Sequence, residues 1–340
     1  MTDDERVKIL GKTEVKELYY RLDDVKYNNI SKARVLSGIE DLDYNISGFE
    51  MGFITIWTGL TNAGKTTVMT MIAKKTIEQG ERIFFFNGEQ TKEDFKNNLY
   101  IQASTKKDLV KVQYRSSIVK DTFVTKVKAQ ELEKIYGNKI FIFNNEAKRD
   151  IDTLLYAMEE VRRKEKIRVF FLDNFMQIDI KSDNVFQEQT NIMEKLRTFA
   201  VNKKVHIHLV AHPRKTERFQ VRLSEHDILG SSNLTNKAGN IISIMRMDKI
   251  RNDNKEKEKL EKELLDLDYD LQTVDTVLEI IKTKGQNFKT SLVGLQYDRD
   301  LRTFIPSKKL YNEDKEKIKK KYEENEIKEQ EEALKEELPW

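Results

Sequence analysis

Residues 53–66 read FITIWTGLTNAGKT, an apolar run that leads into a phosphate-binding pattern. The pattern is GxxxxGK followed by Ser or Thr, and it lies between a strand-like segment and a segment of helical spacing. In such a unit the glycines let backbone amides turn towards phosphate oxygens, and the helix N-terminus adds positive potential. We expect Lys65 to reach the β- and γ-phosphates and the Thr66 hydroxyl to hold Mg²⁺. The predicted nucleotide contacts in this loop are Gly59, Thr61, Asn62, Ala63, Gly64, Lys65, Thr66 and Thr67.

Beyond this unit, short apolar segments alternate with charged segments of helical period. The predicted strands up to residue 245 are 53–58, 82–86, 139–143, 168–172, 205–210 and 240–245. The predicted helices between them are 65–79, 92–104, 151–164 and 188–203. Strands that alternate with helices predict an α/β fold with a mainly parallel sheet flanked by helices. Antiparallel strands at the edge of that sheet are predicted at 277–282, 291–297 and 301–305.

The composition divides the chain into three parts. Residues 1–33 form an arm in which 5–30 carry the apolar stripe of an amphipathic helix. Residues 34–306 contain the alternation of strands and helices, interrupted at 248–272 by a highly charged segment that predicts a solvated helical insertion. Residues 307–340 are rich in lysine and glutamate, and we expect a charged helical tail there.

The overall composition excludes several classes of protein. The 340 residues include no cysteine, which excludes disulfides, zinc knuckles and thiol catalysis. The first residues lack the apolar run of a signal peptide and no segment approaches membrane-spanning length, so we expect a cytosolic protein that is not secreted. The net charge of +3, from 61 basic and 58 acidic side chains, argues against a polycation that wraps nucleic acid but allows a local basic surface.

Ionisable residues follow three of the other predicted strands. Asp173 ends the run VFFLD, where a carboxylate would complete the magnesium site with Thr66. Glu89 follows the run RIFFF, where a carboxylate would point into the crevice of the phosphates and activate water; the alternative is an ordinary strand-end acid. His212 follows the run VHIHLVA, and a catalytic and a structural role are equally open for it.

The other histidines show no ligand spacing that would favour a metal site. His206 and His208 alternate within the strand 205–210, so we expect them to pack in the core. His226 is expected to lie in a surface loop.

Several motifs follow one another in order along the chain. They are RVLSGIEDLD (34–43), GFEMGFITI (48–56) with the phosphate loop, Glu89, Asp173 with Gln177 behind it, VAHPRK (210–215), and GSSN (230–233) leading into AGNII (238–242). This series resembles DnaB-type replicative helicases, and VAHPRK is particularly similar to Twinkle and the phage primase-helicases. The resemblance covers residues 34–306. It implies a RecA-like motor that hydrolyses ATP, or another nucleoside or deoxynucleoside triphosphate, with Mg²⁺.

The resemblance also implies roles for individual residues. Glu89 matches the catalytic base, and His212 matches the residue that senses the γ-phosphate. Arg246 and Tyr297 match positions that sandwich the nucleotide base, a cation–π arrangement. Lys284, in the segment KTK, matches the arginine finger that relatives offer to the γ-phosphate of the neighbouring subunit. Lysine lacks the planar fork of arginine, so stabilisation of the transition state would be weaker or differently arranged here.

A homo-oligomer, a hexameric ring around single-stranded DNA, is the assembly that the resemblance implies. Arg214, Lys215, Arg218 and Arg222 place four cations after a strand on the catalytic edge, where they would track phosphates in the channel. Asn236, at a position where relatives usually carry glutamine, belongs to the same predicted DNA surface. The alternative for the cations is a solvated basic loop.

Other roles stay open at the level of sequence. The N-terminal helix would dock on the adjacent subunit, as in the family, or on its own domain. The tail, which ends EELPW, would dock replisome proteins or remain solvated. We expect the protein in the cytoplasm of a bacterial or phage-infected cell, or in an organellar nucleoid. The alternative functions are a RecA- or RadA-like recombination ATPase and a nucleotide-switched interaction module that does not translocate, which the lysine at position 284 keeps open.

Overall fold

The computed structural model describes residues 21, 33–113, 120–180, 182–214, 222–228, 232–250, 254–284 and 291–310. The predicted N-terminal helix (apart from Arg21), the tail beyond residue 310, and the cations Lys215 and Arg218 lie outside the described residues. The description below concerns the unit that begins at Arg34.

Helices and strands alternate along most of the described chain. The helices are α1 (Glu40–Ile46), α2 (Lys65–Glu78), α3 (Lys92–Gln102), α4 (Lys126–Tyr136), α5 (Ile151–Glu165), α6 (Val185–Lys203), α7 (Ser232–Lys237), α8 (Met247–Ile250) and α9 (Asn254–Asp266). The strands are β1 (Arg34–Val35), β2 (Phe49–Glu50), β3 (Ile54–Thr58), β4 (Ile83–Asn87), β5 (Leu109–Gln113), β6 (Lys120–Val124), β7 (Ile140–Ile142), β8 (Val169–Asp173), β9 (His206–Val210), β10 (Asn240–Arg246), β11 (Thr276–Lys282), β12 (Leu292–Asp298) and β13 (Thr303–Pro306).

One large sheet organises the fold, with the strand order β13-β12-β11-β10-β3-β9-β8-β4-β7. The strands from β10 to β7 run parallel, whereas β11, β12 and β13 are added antiparallel at one end. The predicted class, a RecA-like α/β fold with antiparallel edge strands, is therefore confirmed. Because β3, β9, β8 and β4 are adjacent and parallel, their carboxyl ends meet at one edge of the sheet.

The strands are apolar on both sides because helices cover both faces of the sheet. On one face, Phe171 of β8 stacks on Phe85 with ring centroids 5.4 Å apart, beneath α2, α3 and α4. On the other face, Phe170 meets Phe199 of α6 edge-to-face at 5.7 Å, and α5 packs on the same side. Burial of each such side chain contributes about 1.5–3 kcal/mol, so the tips of these strands are rigidly placed.

Within the charged segment 248–272, which is predicted to be a solvated helical insertion, the described residues include helix α9 (Asn254–Asp266), and one face of that helix is buried. Leu260 and Leu264 of α9 are fully buried, in a small core with Tyr269, Val277 and Leu292. The two leucines are four residues apart and so share one face of the helix, while the charged residues occupy the other. Helix α9 is therefore amphipathic and packs its apolar face against β11 and β12.

The sequence pattern predicted no element between residues 104 and 139, where the structure has the hairpin β5–β6 and helix α4. In the part of the chain that the structure describes, no helix combines the length and the apolar character needed to cross a bilayer.

Candidate functional site

The loop between β3 and α2 requires glycine at two positions, Gly59 and Gly64. Gly59 has φ 145°, and a Cβ there would collide with the carbonyl oxygen of Ile244 on β10. Gly64, with φ 95°, is the N-cap of α2, and Asn62 also has a positive φ of 62°. The loop therefore curls tightly and leads directly into a helix N-terminus, the arrangement that favours a bound phosphate.

Lys65, the first residue of α2, turns back into this loop. Its Nζ donates hydrogen bonds to the carbonyl oxygens of Gly59 (2.8 Å) and Leu60 (2.9 Å). Burial lowers the pKa of Lys65, and the nearby carboxylates of Asp173 and Glu89 oppose that shift. The ammonium is thus held over the loop by neutral acceptors, which an anionic phosphate oxygen would outcompete.

Thr66 and Asp173 meet at the base of the loop. The Thr66 hydroxyl donates a 2.7 Å hydrogen bond to Asp173 Oδ2. Asp173 is almost fully buried, and burial raises its pKa to about 6, with the Thr66 bond lowering it and Glu89 raising it further. Register places Asp173 opposite Asn87, at the carboxyl end of β4.

The Thr66–Asp173 pair fits Mg²⁺. A hydroxyl and a carboxylate are hard oxygen ligands, and a buried carboxylate with a raised pKa lacks the positive charge that a divalent cation supplies. Among the described residues there is no cluster of three or more acidic or histidine side chains that could cage a metal. The donor set therefore suits a cation that takes the rest of its shell from water and substrate phosphates, as Mg²⁺ does.

Glu89 lies just beyond β4, on the same edge of the sheet. The Asn87 side-chain oxygen accepts hydrogen bonds from the backbone amides of Glu89 (3.2 Å) and Gln90 (2.9 Å), which fixes the turn. The amide of Gly88 donates to the carbonyl oxygen of Asp173 at 2.7 Å. Glu89 is thereby tied to the strand that carries the predicted magnesium ligand.

Glu89 and His212 are joined by a residue that sequence reasoning missed. The amide nitrogen of Asn174 contacts Glu89 Oε1 and lies 3.0 Å from His212 Nε2, and His212 Nε2 is itself 3.4 Å from Glu89 Oε1. Asn174 directly follows Asp173 at the end of β8. That position, one residue beyond a strand-end acid, is the signal that could have singled it out.

These groups line one cavity of about 530 Å³. The phosphate loop, Glu89, Asp173 and His212 all line it. Arg246 and Tyr297, the predicted base contacts, line it together with Asp248, Asp275, Arg299 and Phe304, which the sequence did not indicate.

The two predicted base contacts, Arg246 and Tyr297, have contacts of their own within the chain. Arg246 donates two hydrogen bonds to Asp248, at 3.0 and 2.7 Å, so its guanidinium is held in place. The backbone amide of Tyr297 donates to Asp275 at 2.8 Å, and its ring lies 5.2 Å from that of Phe304. Loop, carboxylates and base contacts therefore share one cavity.

Lys284 and Arg222 are not among the residues that line this cavity. Lys284 Nζ lies 5.1 Å over the ring of Phe53. Arg222 forms ion pairs with Glu263 (2.8 Å) and Glu279 (2.5 Å).

Two further members of the predicted DNA surface are described. The backbone amide of Arg214 donates to the carbonyl oxygen of Asp227 (2.6 Å), and its Nε donates to that of Ile228 (3.2 Å). Asn236 is exposed on α7. The structure thus brings the described nucleotide and catalytic candidates together at one cavity. Among the described DNA candidates, Arg214 and Arg222 bond within the chain and Asn236 is exposed.

The other histidines behave as predicted. His206 and His208 are fully buried, and burial lowers the pKa of His206 to about 4 and that of His208 well below its usual value. His226 is exposed in a short turn of 3₁₀ helix.

The comparisons with known proteins agree with this fold. Residues 35–306 match the family described as the DnaB-like helicase C-terminal domain. A comparison with curated proteins finds no match. Among solved structures, the chain is similar to one described as an ATPase domain, with a TM-score of 0.65, 15% identity, and 90% of this chain and 98% of that chain covered.

Two other solved structures extend the comparison. One is a DnaB-like replicative helicase, described with its interactions with primase, with a TM-score of 0.64, 17% identity, and 89% of this chain and 71% of that chain covered. The other is a KaiC-like protein, PH0186, from Pyrococcus horikoshii OT3, with a TM-score of 0.53, 16% identity, and 82% and 100% covered. At these identities the structures establish a shared fold.

Proposed function

Since the chain belongs to the family of DnaB-like helicase C-terminal domains, we propose that it is an NTP-dependent replicative DNA helicase that translocates on single-stranded DNA as a ring and unwinds duplex DNA. Family membership makes it a nucleotide hydrolase of the replicative-helicase type. The observation that carries the proposal is the convergence of Lys65, Thr66, Asp173 and Glu89 on one cavity.

Hydrolysis needs an attacking water, a group that takes its proton, and positive charge at the transferred phosphate. Glu89, a carboxylate at the cavity wall, would orient the water and accept the proton. Lys65 would exchange its loop carbonyls for the β- and γ-phosphate oxygens. His212, beside Glu89, would contact the γ-phosphate and respond to its loss.

Thr66 and Asp173 would hold Mg²⁺, Thr66 through its hydroxyl and Asp173 through water. When bound, Mg²⁺ neutralises charge on the phosphates. Arg246 and Tyr297 would flank the base of ATP or of another nucleoside or deoxynucleoside triphosphate. Because Arg246 is braced by Asp248, the guanidinium presents a fixed face to the base.

We assign assembly and DNA binding to a second group of residues. We propose a homo-oligomeric, hexameric ring in which Lys284 reaches the γ-phosphate of the neighbouring subunit. Arg214, Lys215, Arg218 and Asn236 would face single-stranded DNA in the channel. We further propose a cytoplasmic site of action and docking of replisome proteins through the charged tail.

We propose a structural role for Arg222. Its guanidinium donates to Glu263 and Glu279 of the same chain, so we assign it to anchoring the DNA-facing segment rather than to phosphate contact.

The test is hydrolysis of each triphosphate by the purified full chain, with and without single-stranded DNA. Lys65→Ala and Glu89→Gln are compared with Lys75→Ala, a lysine on the same helix α2 that pairs with Glu78 on the surface. We expect DNA to stimulate hydrolysis, Lys65→Ala to abolish it and Glu89→Gln to lower it by about 100-fold or more, with Lys75→Ala like wild type. A forked duplex then tests unwinding.

Two other outcomes would replace the proposal. A hydrolysis rate that single-stranded DNA does not change, together with no unwinding, would favour the nucleotide-switched interaction module. DNA-stimulated hydrolysis with filament formation but without fork unwinding would favour the recombination ATPase.

A further inference from the structure

Asn174 has two hydrogen-bonding roles that its two side-chain atoms divide between them. It is the N-cap of the turn Phe175–Gln177, and its Oδ1 accepts a 2.8 Å hydrogen bond from the backbone amide of Met176. This bond uses the acceptor atom and so fixes which way the amide faces. The NH₂ group therefore points into the site, towards Glu89 and His212.

The two hydrogens of that NH₂ group match the two acceptors in front of it. One acceptor is Glu89 Oε1, and the other is His212 Nε2, 3.0 Å away. Because an amide N–H only donates, the contact with Nε2 is a hydrogen bond in the tautomer whose proton lies on Nδ1. Asn174 is only 1% exposed, so its amide donor is shielded from water, whereas the side chains of His212 and Glu89 are 30% and 44% exposed.

From this geometry we propose that Asn174 is a positioning residue for hydrolysis, acting through its amide on the Glu89 carboxylate and the His212 imidazole. It fixes the carboxylate in the orientation that takes the water proton, and it holds Nε2 of His212 as an acceptor. This inference rests on the proposed function, because it assumes that Glu89 activates water.

Because Asn174 is buried and caps the turn, its amide is held in one position and can orient the Glu89 carboxylate and the His212 imidazole. The carboxylate lies on a surface turn, with the Glu89 side chain 44% exposed, and by itself would sample several rotamers. A buried donor anchored to the backbone removes that freedom. A displacement of the base by about 1 Å lowers a rate by on the order of 100-fold, so loss of the donor should act on the chemical step rather than on nucleotide binding.

Asn174→Ser separates the two roles. Serine still caps the turn through its oxygen, but its side chain is too short to reach Glu89 and His212. We expect kcat to fall about 100-fold with little change in KM for the triphosphate and an unchanged unfolding midpoint in urea. The matched control is Asn184→Ser, which makes the same change at the N-cap of α6, where the side chain accepts from Gln187 away from the site.

Two further readouts exclude a purely structural role. In single-turnover experiments, Asn174→Ser should add little to Glu89→Gln, because both changes remove the same positioned carboxylate. Since the chain has only four histidines, labelled histidine gives few NMR signals, and the tautomer of His212 should change in Asn174→Ser. Normal kcat in Asn174→Ser, or a faster one, would overturn the inference.

The outcomes for the two proposals can be told apart. If Glu89→Gln leaves hydrolysis intact, the proposed function fails. If Glu89→Gln abolishes hydrolysis while Asn174→Ser hydrolyses like wild type, the function stands and the role of Asn174 is refuted.

Discussion

Thr66 and Asp173 are 107 residues apart in the sequence, yet the threonine hydroxyl donates a 2.7 Å hydrogen bond to Asp173 Oδ2. The contact joins the phosphate loop to the end of β8 across the intervening strand β9. It leaves a carboxylate almost completely out of water, with a pKa raised mainly by burial. Asp173 is thus a buried acid whose negative charge a divalent cation would balance.

Asp173→Asn should separate activity from stability. The folded-state pKa of about 6 lies above the unfolded value of 3.8, so Asp173 favours the folded state below pH 3.8, and this stabilisation is lost as the pH rises through about 6. At pH 8 the charged side chain therefore costs on the order of 2–3 kcal/mol, which asparagine avoids while still accepting from Thr66. We expect Asp173→Asn, without nucleotide or Mg²⁺, to unfold in urea at an equal or higher midpoint than wild type.

The same variant should lose Mg²⁺-dependent hydrolysis by on the order of 100-fold or more. Mg²⁺ with nucleotide should raise the melting temperature of wild type and not that of Asp173→Asn. A clearly lower urea midpoint for Asp173→Asn would mean that the carboxylate stabilises the fold and that its bond to Thr66 outweighs the cost of its burial.

Tyr297→Ala should weaken nucleotide binding without slowing chemistry. Tyr297 lines the cavity and is a proposed contact of the base, which takes no part in the bond changes, so we expect its contact to be the same in the ground and transition states. Loss of one aromatic face should raise KM about tenfold and change kcat little. Tyr156→Ala, at an exposed tyrosine of α5, is the matched control and should leave both constants unchanged. A fall in kcat at constant KM would place Tyr297 in the chemical step instead.

The sequence was sufficient for the parts of the site that follow strand ends. Asp173, Glu89 and His212 each come after an apolar run, and parallel strands bring such positions to one edge without any need to know the strand order. Lys65 and Thr66 could be predicted for a different reason, because the phosphate-loop motif is contiguous in the sequence.

The sequence could not predict side-chain contacts that depend on strand register and on packing between distant residues. Asn174 carries no motif, and its role becomes visible only when Glu89 and His212 converge on its amide. Arg222 looks like one more cation in a basic loop until Glu279, on β11, is placed beside it. The buried face of α9 was hidden because its charged residues outnumber its leucines.

Arg222→Ala should destabilise the fold more than it weakens DNA binding. Glu279 is 8% exposed, burial raises its pKa, and Arg222 opposes that shift through an ion pair of 2.5 Å. Removal of the partner leaves a buried charge, so we expect a loss of roughly 2 kcal/mol in the free energy of unfolding. Arg222→Ala combined with Glu279→Gln should recover part of that loss.

Arg163→Ala, at an exposed arginine of α5, is the control for the change in net charge. The salt dependence of binding to single-stranded DNA gives the second readout. An arginine that contacts a phosphate should reduce the log–log slope by about 0.7 when it is removed, whereas an anchoring arginine should leave the slope unchanged. A reduced slope with unchanged stability would return Arg222 to the DNA surface.

Acid sensitivity of the fold should depend on His206. The residue is fully buried, its Nδ1 donates to the carbonyl oxygen of Glu50 at 2.8 Å, and burial lowers its pKa from 6.5 to about 4. Below pH 6.5 the His206 imidazole is protonated in the unfolded chain but stays neutral in the folded chain. The free energy of unfolding therefore drops by roughly 3 kcal/mol between pH 6.5 and about 4. Asparagine can keep the donor to Glu50 and cannot be protonated, so His206→Asn should lose less stability between pH 7 and pH 4.5 in urea unfolding. His226→Asn, at the exposed histidine, should show the full wild-type loss, and an equal loss in His206→Asn would contradict the assignment.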